Sequence, residues 1–400
     1  MKKAILFFTS FLLFSLASYT KTKTTYNKKN AIQDNASVQM ADISAVELTK
    51  DMLTGWNLGN TLDANATKGL SSETSWGMIR TTKEMFEGLA KSGIKTVRIP
   101  VSWANHFIDD KYTIDPKWMS RVKQIVDWAL ESDLYVILNT HHDNCITSTY
   151  SGYGYYPDED NFEKSRDFFA NVWSQIARAF NNGYDQRLMF ETMNEPRLRS
   201  TENEWNFNVN NSITVESQKI INKLNQVCLN AIRETGGNNA NRVVIIAGYA
   251  ATPSSVLSDV FELPKDKAEN KLMVSVHMYT PYIFAGQSPG AIKFVPKMQN
   301  DYVATFKNLN KKFVQNGVGV FIGEYGATNK NNLEARVAWF SSFIKFSRKN
   351  NLVACVWDNN VWEVKGKDYS EKFGYYNRKD QTWYFPEILQ AILDNVNNWE

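Results

Sequence analysis

Cysteine and histidine are scarce in this chain of 400 residues, which has three cysteines and four histidines. The cysteines stand at Cys145, Cys228 and Cys355, so no two of them form a CxxC pair. The sequence therefore predicts neither a disulfide framework nor a cysteine-based zinc site, although a single disulfide bridge stays open. The 20 glycines and 10 prolines are too few for a low-complexity or collagen-like protein.

A net positive charge is also missing outside the N-terminus. The formal net charge is +3, but the first 30 residues hold six lysines and no acidic residue, so the remaining chain carries −3. A domain with this net charge lacks the basic surface that attracts a phosphate backbone, and we expect no nucleic-acid partner. With 43% apolar and 22% charged residues, the composition is that of a folded globular protein.

Long apolar runs are missing, and one short run stands near the N-terminus. Residues 4–17 are almost entirely apolar, follow two lysines and end in small residues. This pattern is typical of a secretory signal peptide, and the run is short for a membrane span. We therefore predict a signal peptide over residues 1–18, a disordered polar leader over 19–40 and a catalytic domain over 41–400. The domain would be secreted (extracellular or periplasmic) and free of the membrane after cleavage; an uncleaved anchor is the alternative.

Eight short apolar runs recur through the domain, and amphipathic helical patterns separate them. Strands that alternate with helices predict a parallel sheet with crossover connections. A single closed (β/α)8 TIM barrel of the α/β class and an open doubly wound sheet both fit this order. The first run lacks the glycine-rich turn of an open nucleotide-binding sheet, so we predict the barrel. The runs cover residues 55–58, 96–99, 135–139, 188–191, 242–247, 272–277, 319–323 and 352–357, and the clearest helices cover 116–132, 162–181, 214–235, 301–315 and 333–349.

Polar and aromatic residues stand at the ends of seven of the eight runs. Barrel enzymes build their active sites at this end of the strands. Three of the four histidines lie there, which a random scatter of histidines would not produce. The fifth run ends without a strong polar candidate. The residues at the run ends are Asn60, Arg98, His141, His142, Asn194, Glu195, His277, Tyr279, Glu324 and Trp357.

Glu195 and Glu324 follow the fourth and seventh runs, on opposite sides of the predicted barrel mouth. Cleavage of a glycosidic bond needs such a pair, one a protonated acid and the other an ionised carboxylate. Glu195 lies next to Asn194 and would face an apolar wall, so we predict that its pKa is raised. Arg98 and Tyr279 would keep Glu324 ionised. A separation of about 5–5.5 Å between the carboxyl groups would give retention of configuration, and a wider gap would give inversion.

Other titratable groups near the run ends have simpler interpretations. A metal site at His141 and His142 would need a third ligand, and Asp143 is the next residue. Adjacent residues of a strand point to opposite faces, so three consecutive ligands are improbable and we predict no metal site. Glu191 is interpreted as a buried structural charge paired with an arginine, and Asp358 as a residue that shapes its loop.

These residues stand in seven motifs that resemble those of glycoside hydrolase family 5, in the family's order. Within the family the chain resembles the bacterial and rumen-fungal endoglucanases grouped as subfamily 4. The resemblance extends from residue 46 to the C-terminus. The motifs are Gly55-Trp56-Asn57-Leu58-Gly59-Asn60, Val97-Arg98-Ile99-Pro100, His141-His142, Asn194-Glu195-Pro196, His277-Met278-Tyr279, Gly323-Glu324-Tyr325-Gly326 and Trp357-Asp358.

The resemblance implies a retaining endo-β-1,4-glucanase on a (β/α)8 barrel that needs no metal or organic cofactor. Glu195 would be the general acid/base and Glu324 the nucleophile. Arg98 would hold Glu324, and Asn194 would bind the sugar 2-hydroxyl on the glycone side of the cleaved bond. The remaining implied site residues complete the polar ring, bind hydroxyls or form the floor of that subsite: His141, His277, Tyr279, His142, Asn60 and Trp357.

Three tryptophans on the predicted post-strand loops are candidate platforms for sugar rings, namely Trp76, Trp205 and Trp357. Trp205 matches the position of an aromatic residue on the leaving-group side in the family. The expected partner is a β-glucan such as cellulose, carboxymethylcellulose or mixed-linkage glucan, with xyloglucan or xylan as further candidates. The alternatives are the same machinery with a preference for xyloglucan or mannan, and a non-catalytic glycan-binding barrel. We expect a monomer.

Overall fold

The computed structural model describes residues 37–144, 154–366 and 368–397, and the statements below concern these residues. The predicted signal peptide, most of the predicted leader and Cys145 lie outside them. No helix in the described part is long and apolar enough to cross a membrane.

Eight parallel strands form a closed barrel: β1 (Thr54–Asn57), β2 (Thr96–Ile99), β3 (Tyr135–Asn139), β4 (Leu188–Glu191), β5 (Val244–Ala247), β6 (Leu272–His277), β7 (Gly319–Tyr325) and β8 (Val353–Val356). Each strand pairs with its neighbours in chain order, and β8 pairs with β1. The predicted (β/α)8 barrel is therefore confirmed, and the doubly wound alternative is wrong. A short antiparallel pair, β9 (Tyr376–Asn377) and β10 (Thr382–Trp383), follows the eighth strand.

Helices alternate with the strands along the chain. They are α1 (Ala45–Asp51), α2 (Lys83–Lys91), α3 (Pro116–Glu131), α4 (Phe162–Ala179), α5 (Ser212–Arg233), α6 (Pro253–Leu257), α7 (Tyr282–Ala285), α8 (Asn300–Lys312), α9 (Leu333–Lys349) and α10 (Pro386–Asn397). The five helices predicted from the sequence correspond to α3, α4, α5, α8 and α9. The periodicity therefore located each helix, and the ends differ because capping contacts rather than periodicity decide where a helix stops.

The sequence of α3 shows why these helices form and how they dock. Asp115 caps its N-terminus by accepting a hydrogen bond from the backbone N of Lys117, and Pro116 occupies the first helical position. Four apolar residues at three- and four-residue spacing, Val122, Ile125, Val126 and Ala129, are fully buried. This stripe packs the helix into the continuous apolar core around the barrel.

A second apolar cluster fills the lower half of the barrel interior. Helix α1 closes this end with Ala45, Leu48 and Met52, which pack together with inward-facing side chains such as Ile137 and Phe321. Side chains alternate along each strand, so the next inward positions lie one layer higher. On β3 that higher position is Asn139, on β4 it is Glu191, and on β6 they are Ser275 and His277. The interior therefore changes from apolar to polar towards the C-terminal ends of the strands.

Candidate active site

A cavity of about 780 Å³ lies at the C-terminal end of the barrel. It is lined by ten of the twelve site residues predicted from the sequence, namely Asn60, His141, His142, Asn194, Glu195, Trp205, His277, Tyr279, Glu324 and Trp357. Of the other two, Arg98 lies directly beneath it and Trp76 lies against His142, with ring centroids 5.4 Å apart. A second cavity, of about 860 Å³, is lined by the segment 37–47 and by residues preceding β5 and β6, and its lining includes no histidine or aromatic side chain.

Arg98 on β2 is completely buried and ties the site together with four hydrogen bonds. Its Nε donates to Glu191 Oε2 at 2.7 Å, and its Nη2 donates to Asn194 Oδ1 at 2.7 Å. Its Nη1 donates to both Asn57 Oδ1 and Glu324 Oε1 at 3.0 Å. Burial lowers the pKa of Arg98, but Glu191 and Glu324 raise it above its ordinary value, so the guanidinium stays charged.

Glu191 is the buried partner that this arginine needs. Besides the bond from Arg98, its carboxylate accepts from Asn139 Nδ2 at 2.9 Å and from Ser275 Oγ at 2.7 Å. An arginine without such a partner would be an uncompensated charge in the barrel interior. The interpretation of Glu191 as a structural charge paired with an arginine is therefore confirmed.

Glu324 near the end of β7 accepts hydrogen bonds on both carboxylate oxygens. Arg98 donates to Oε1, and the Tyr279 hydroxyl donates to Oε2 at 2.9 Å. Burial, followed by the charge of Glu324, raises the pKa of Tyr279 well above its ordinary value, so the phenol keeps its proton and remains a donor. Two donors that keep their protons stabilise an ionised carboxylate, which is the form a nucleophile needs.

Glu195, four residues beyond β4, has a different environment. His277 Nδ1 lies 2.7 Å from its Oε1, and Arg197 Nη1 lies 3.5 Å from its Oε2. Burial would raise the pKa of Glu195, but the hydrogen bond and charge of His277, assisted by Arg197, lower it below its ordinary value. The predicted raised pKa is therefore wrong for the structure as it stands, because Glu195 faces two nitrogen donors rather than an apolar wall.

His277 at the end of β6 stands between the two carboxylates. Its Nδ1 carries a proton, because the carboxylate of Glu195 can only accept, and it also lies 3.7 Å from Glu324 Oε2. Burial lowers the pKa of His277, while Glu324 and Glu195 raise it, with a net increase. Its Nε2 is buried without a hydrogen-bond partner in the described part of the chain, so a second proton there would be unsatisfied.

The two candidate catalytic carboxylates are close to each other. An oxygen of Glu195, a ring nitrogen of His277 and an oxygen of Glu324 all lie within 4.8 Å of one another. Retaining glycosidases hold their carboxyl groups about 5–5.5 Å apart, whereas inverting enzymes need about 6.5–9.5 Å to admit a water. The geometry therefore corresponds to direct attack by a carboxylate on the sugar.

Hydrogen bonds fix which polar atoms of Asn194 and His141 face a ligand. Asn194 Oδ1 accepts from Arg98, so its amide NH₂ is the group left for a sugar oxygen. Asn139 Oδ1 accepts from the backbone N of Val101, so its Nδ2 must donate to Nδ1 of His141. Burial, followed by the charge of His142, keeps the pKa of His141 well below its ordinary value. The neutral ring therefore carries its proton on Nε2 and is a second donor.

His141 and His142 both line the cavity, which corrects the expectation that adjacent residues point apart. The strand ends at Asn139, so strand alternation does not extend to these residues, and their ring centroids are 4.4 Å apart. Asp143 lies away from the cavity, where it accepts from the backbone N of Trp103 at 2.9 Å. Among the described residues, two groups bring potential metal ligands within 4.8 Å: Asp63 with His141 and His142, and Glu195 with His277 and Glu324.

The group of Asp63, His141 and His142 fits a metal ion poorly. Donor atoms on a tetrahedral zinc lie about 3.3 Å apart, given bonds of about 2.0–2.1 Å. His142 Nε2 lies 3.7 Å from Asp63 Oδ2, and the Asp63 carboxylate already accepts from the backbone N of Asn60 and Thr61. Burial raises the pKa of Asp63 to about 7, so much of it is protonated near neutral pH. That no metal is needed stays a prediction.

The aromatic residues predicted as platforms occupy different positions. Trp357 lines the cavity, almost fully buried, with its ring parallel to that of His141 at a centroid distance of 5.8 Å. Trp205 also lines the cavity but is 53% exposed. Trp76 is not part of the cavity lining and instead supports His142 from the side.

The structure adds cavity residues that sequence reasoning missed. Tyr282, the first residue of α7, is exposed at the rim, and Glu371 and Phe373 lie on the loop after β8. Tyr282 stands three residues after the predicted site residue Tyr279, and this proximity in the sequence could have identified it. Asp358 accepts from the backbone N of Tyr375 at 3.0 Å, and this contact holds the loop against the barrel. The interpretation that Asp358 shapes its loop is therefore confirmed.

Comparison with known proteins identifies the family of the chain. A family model described as "Cellulase (glycosyl hydrolase family 5)" matches residues 25–362. Endoglucanase 1 of Ruminococcus albus is 40% identical over 362 residues, which cover 90% of this chain and 83% of that protein. A complex of a family 5 lichenase mutant from Caldicellulosiruptor sp. F32 with cellotetraose superimposes with a TM-score of 0.83 at 38% identity, covering 90% of this chain and 98% of that one. A GH5-4 broad specificity endoglucanase from Ruminococcus champanellensis with bound cellotriose gives 0.81 at 37% identity, covering 89% and 100%. The predicted relationship is confirmed, and this chain, with two carboxylates facing each other across the mouth of its barrel, belongs to glycosyl hydrolase family 5.

Proposed function

We propose that this chain is a secreted, retaining endo-β-1,4-glucanase in which Glu324 is the nucleophile and Glu195 the general acid/base. The observation that carries the proposal is the approach of their carboxylate oxygens to within 4.8 Å in a cavity rimmed by aromatic side chains. Secretion rests on the apolar run over residues 4–17, and a monomeric state is part of the same proposal.

The first chemical step forms a glycosyl–enzyme ester. Glu324 attacks the anomeric carbon while Glu195 transfers its proton to the departing glycosidic oxygen. Arg98 and the Tyr279 hydroxyl hold the nucleophile by one oxygen each, so its orientation is set before substrate binds. In the second step Glu195 removes a proton from water, which attacks the ester and restores the original configuration.

The proximity of the carboxylates lets Glu195 serve both steps. While Glu324 is ionised, its negative charge opposes a second charge on Glu195 and favours the protonated acid. A sugar that covers the cavity also removes water and strengthens the effect of burial on Glu195. Once the ester forms, the charge of Glu324 is gone, and the bond from His277 again favours the carboxylate, which acts as the base.

The side chains that line the cavity suit a β-glucan substrate. A glucosyl ring has apolar faces and a polar rim, which suits Trp357 and Trp205 together with donors at Asn194 and His141. Cellulose, carboxymethylcellulose and mixed-linkage glucan are the proposed substrates, with xyloglucan or xylan in addition. The names of the similar proteins, a lichenase and broad specificity endoglucanases, support this range.

Two alternatives are distinguishable from the proposal. A preference for xyloglucan or mannan would use the same carboxylates with different loop contacts. A non-catalytic glycan-binding barrel is disfavoured by the support that Arg98, Tyr279 and His277 give to an acid and a nucleophile. Glycan binding alone does not require these contacts.

The experiment is a time course of products from carboxymethylcellulose, barley β-glucan, xyloglucan, mannan and xylan. An endoglucanase lowers the viscosity of the glucans early, and proton NMR shows products first released in the β configuration. Glu324→Ala should lose nearly all activity, and azide should restore cleavage of an aryl β-cellobioside with inverted configuration. First release of the α-anomer by the wild-type protein, or full activity of Glu324→Ala, would contradict the proposal.

A further inference from the structure

Arg197 contacts both the proposed acid and an exposed aromatic residue of the same loop. Its Nη1 donates to the backbone oxygen of Glu195 at 2.9 Å and lies 3.5 Å from Oε2 of that residue. Its Nε donates to Glu204 Oε1 at 3.1 Å. Its guanidinium carbon lies 3.9 Å from the ring centroid of Trp205. One side chain thus contacts three parts of the leaving-group side.

The loop is folded to hold this arrangement. Glu204 accepts from Arg197 through one oxygen and from the backbone N of Ser200 through the other, at 2.9 Å, so the segment before Trp205 is fixed at both ends. The backbone oxygen of Arg197 accepts from Asn144 Nδ2 at 2.8 Å. The Arg197 side chain is only 12% exposed, whereas Trp205 keeps half of its surface free and lines the cavity. A planar cation at this spacing stabilises one indole orientation.

We propose that Arg197 is a positioning residue that couples the Trp205 platform to the side chain of Glu195. This inference rests on the proposed function, because it takes Glu195 as the acid and Trp205 as a contact of the leaving-group sugar. The stacked guanidinium holds the indole of Trp205 in the position where it contacts that sugar ring. The same positive charge lies beside the carboxylate that protonates the departing oxygen.

The two effects of Arg197 can be separated by substitution. Stacking on the indole needs the planar fork of arginine, whereas the effect on Glu195 needs only a positive charge. Lysine at this position keeps the charge without the stack, and glutamine keeps neither. Trp205→Ala removes the platform and leaves the charge beside Glu195.

The experiment measures kcat and KM for cellopentaose across the pH range from about 4 to 9 with wild type, Arg197→Gln, Arg197→Lys and Trp205→Ala. All three variants should raise KM, by about two- to fivefold or more for loss of a half-exposed cation–aromatic contact. Only Arg197→Gln should also move the basic limb of kcat/KM upwards, by about half a pH unit or more. The basic limb moves to higher pH because the Glu195 carboxyl group, without its positive neighbour, keeps its proton to higher pH.

Thermal unfolding and circular dichroism establish that each variant is folded. Arg197→Met, which retains the aliphatic stem, replaces Arg197→Gln if the latter does not fold. Glu204→Gln weakens the anchor that orients Arg197 for stacking on Trp205, while Arg197 keeps its positive charge. A folded, charge-removing variant with the wild-type basic limb overturns the coupling, and so does one with the wild-type KM. A wild-type protein that cleaves no β-glucan would instead overturn the proposed function.

Discussion

Replacing Arg98 with lysine tests the centre of the proposed site. The guanidinium uses three nitrogens to reach four different side chains, those of Glu191, Asn57, Glu324 and Asn194. A lysine has one nitrogen with three protons and cannot occupy these positions together, so at least two charge-assisted hydrogen bonds are lost. At about 1.5–3 kcal/mol each, the loss is about 3 kcal/mol or more. If most of it falls on the transition state, kcat/KM drops by about 100-fold.

The assay for Arg98→Lys is hydrolysis of an activated aryl β-cellobioside, because its good leaving group makes the reaction report on the nucleophile.

Arg121→Lys is the matched control. Arg121 is a buried arginine on α3 whose Nε and Nη2 both bond the carboxylate of Glu73, and it does not line the cavity. Both variants should lower the free energy of unfolding in urea, but only Arg98→Lys should lower kcat/KM. Equal kcat/KM for Arg98→Lys and wild type would refute the reasoning.

Three further predictions follow from the same structure. Glu195→Gln should lose roughly 100-fold or more in kcat/KM on cellopentaose but far less on an aryl glycoside that needs little protonation; equal losses would argue against an acid role. Dialysis against EDTA should leave activity on carboxymethylcellulose unchanged, and a loss restored by zinc would show that one of the ligand groups holds a metal. Burial lowers the pKa of His106, stacked on Trp118 at 3.6 Å, to about 3 from 6.5, so the unfolded chain binds the additional proton and stability should fall as pH drops from about 6.5 towards 3. His106→Phe keeps the stack and should flatten this dependence in urea unfolding; an unchanged slope would assign it to other groups.

The barrel and the core of the site were predictable because both depend on strand periodicity. Eight apolar runs determine the strand order, and the position just beyond each run determines which side chains meet at the barrel mouth. Arg98 stood out as a charge within an apolar run, and a buried charge requires partners. Glu191 was expected to pair with an arginine, and the structure shows that this arginine is Arg98.

The environment of Glu195 was not predictable from its sequence neighbours. His277 comes from a strand 82 residues later in the chain, and their contact depends on how far each side chain reaches into the cavity. His141 and His142 both line the cavity because β3 stops before them, and periodicity locates the end of a strand only to within a residue or two. The position of Tyr282 at the cavity rim is set by the loop before α7, and loops have no periodic pattern in the sequence.

The two proposed catalytic carboxylates depend on different parts of the fold for their support. Glu324 lies within β7, and its donors come from β2 and from Tyr279, two residues after β6, so the barrel itself sets its orientation. Glu195 stands beyond the end of β4, and one of its two nitrogen donors, Arg197, belongs to the same loop and supports Trp205. A change of that loop therefore alters the leaving-group site and the acid together while the nucleophile stays as it is. It follows that loop substitutions should affect proton donation and leaving-group binding before they affect the formation of the ester from activated substrates.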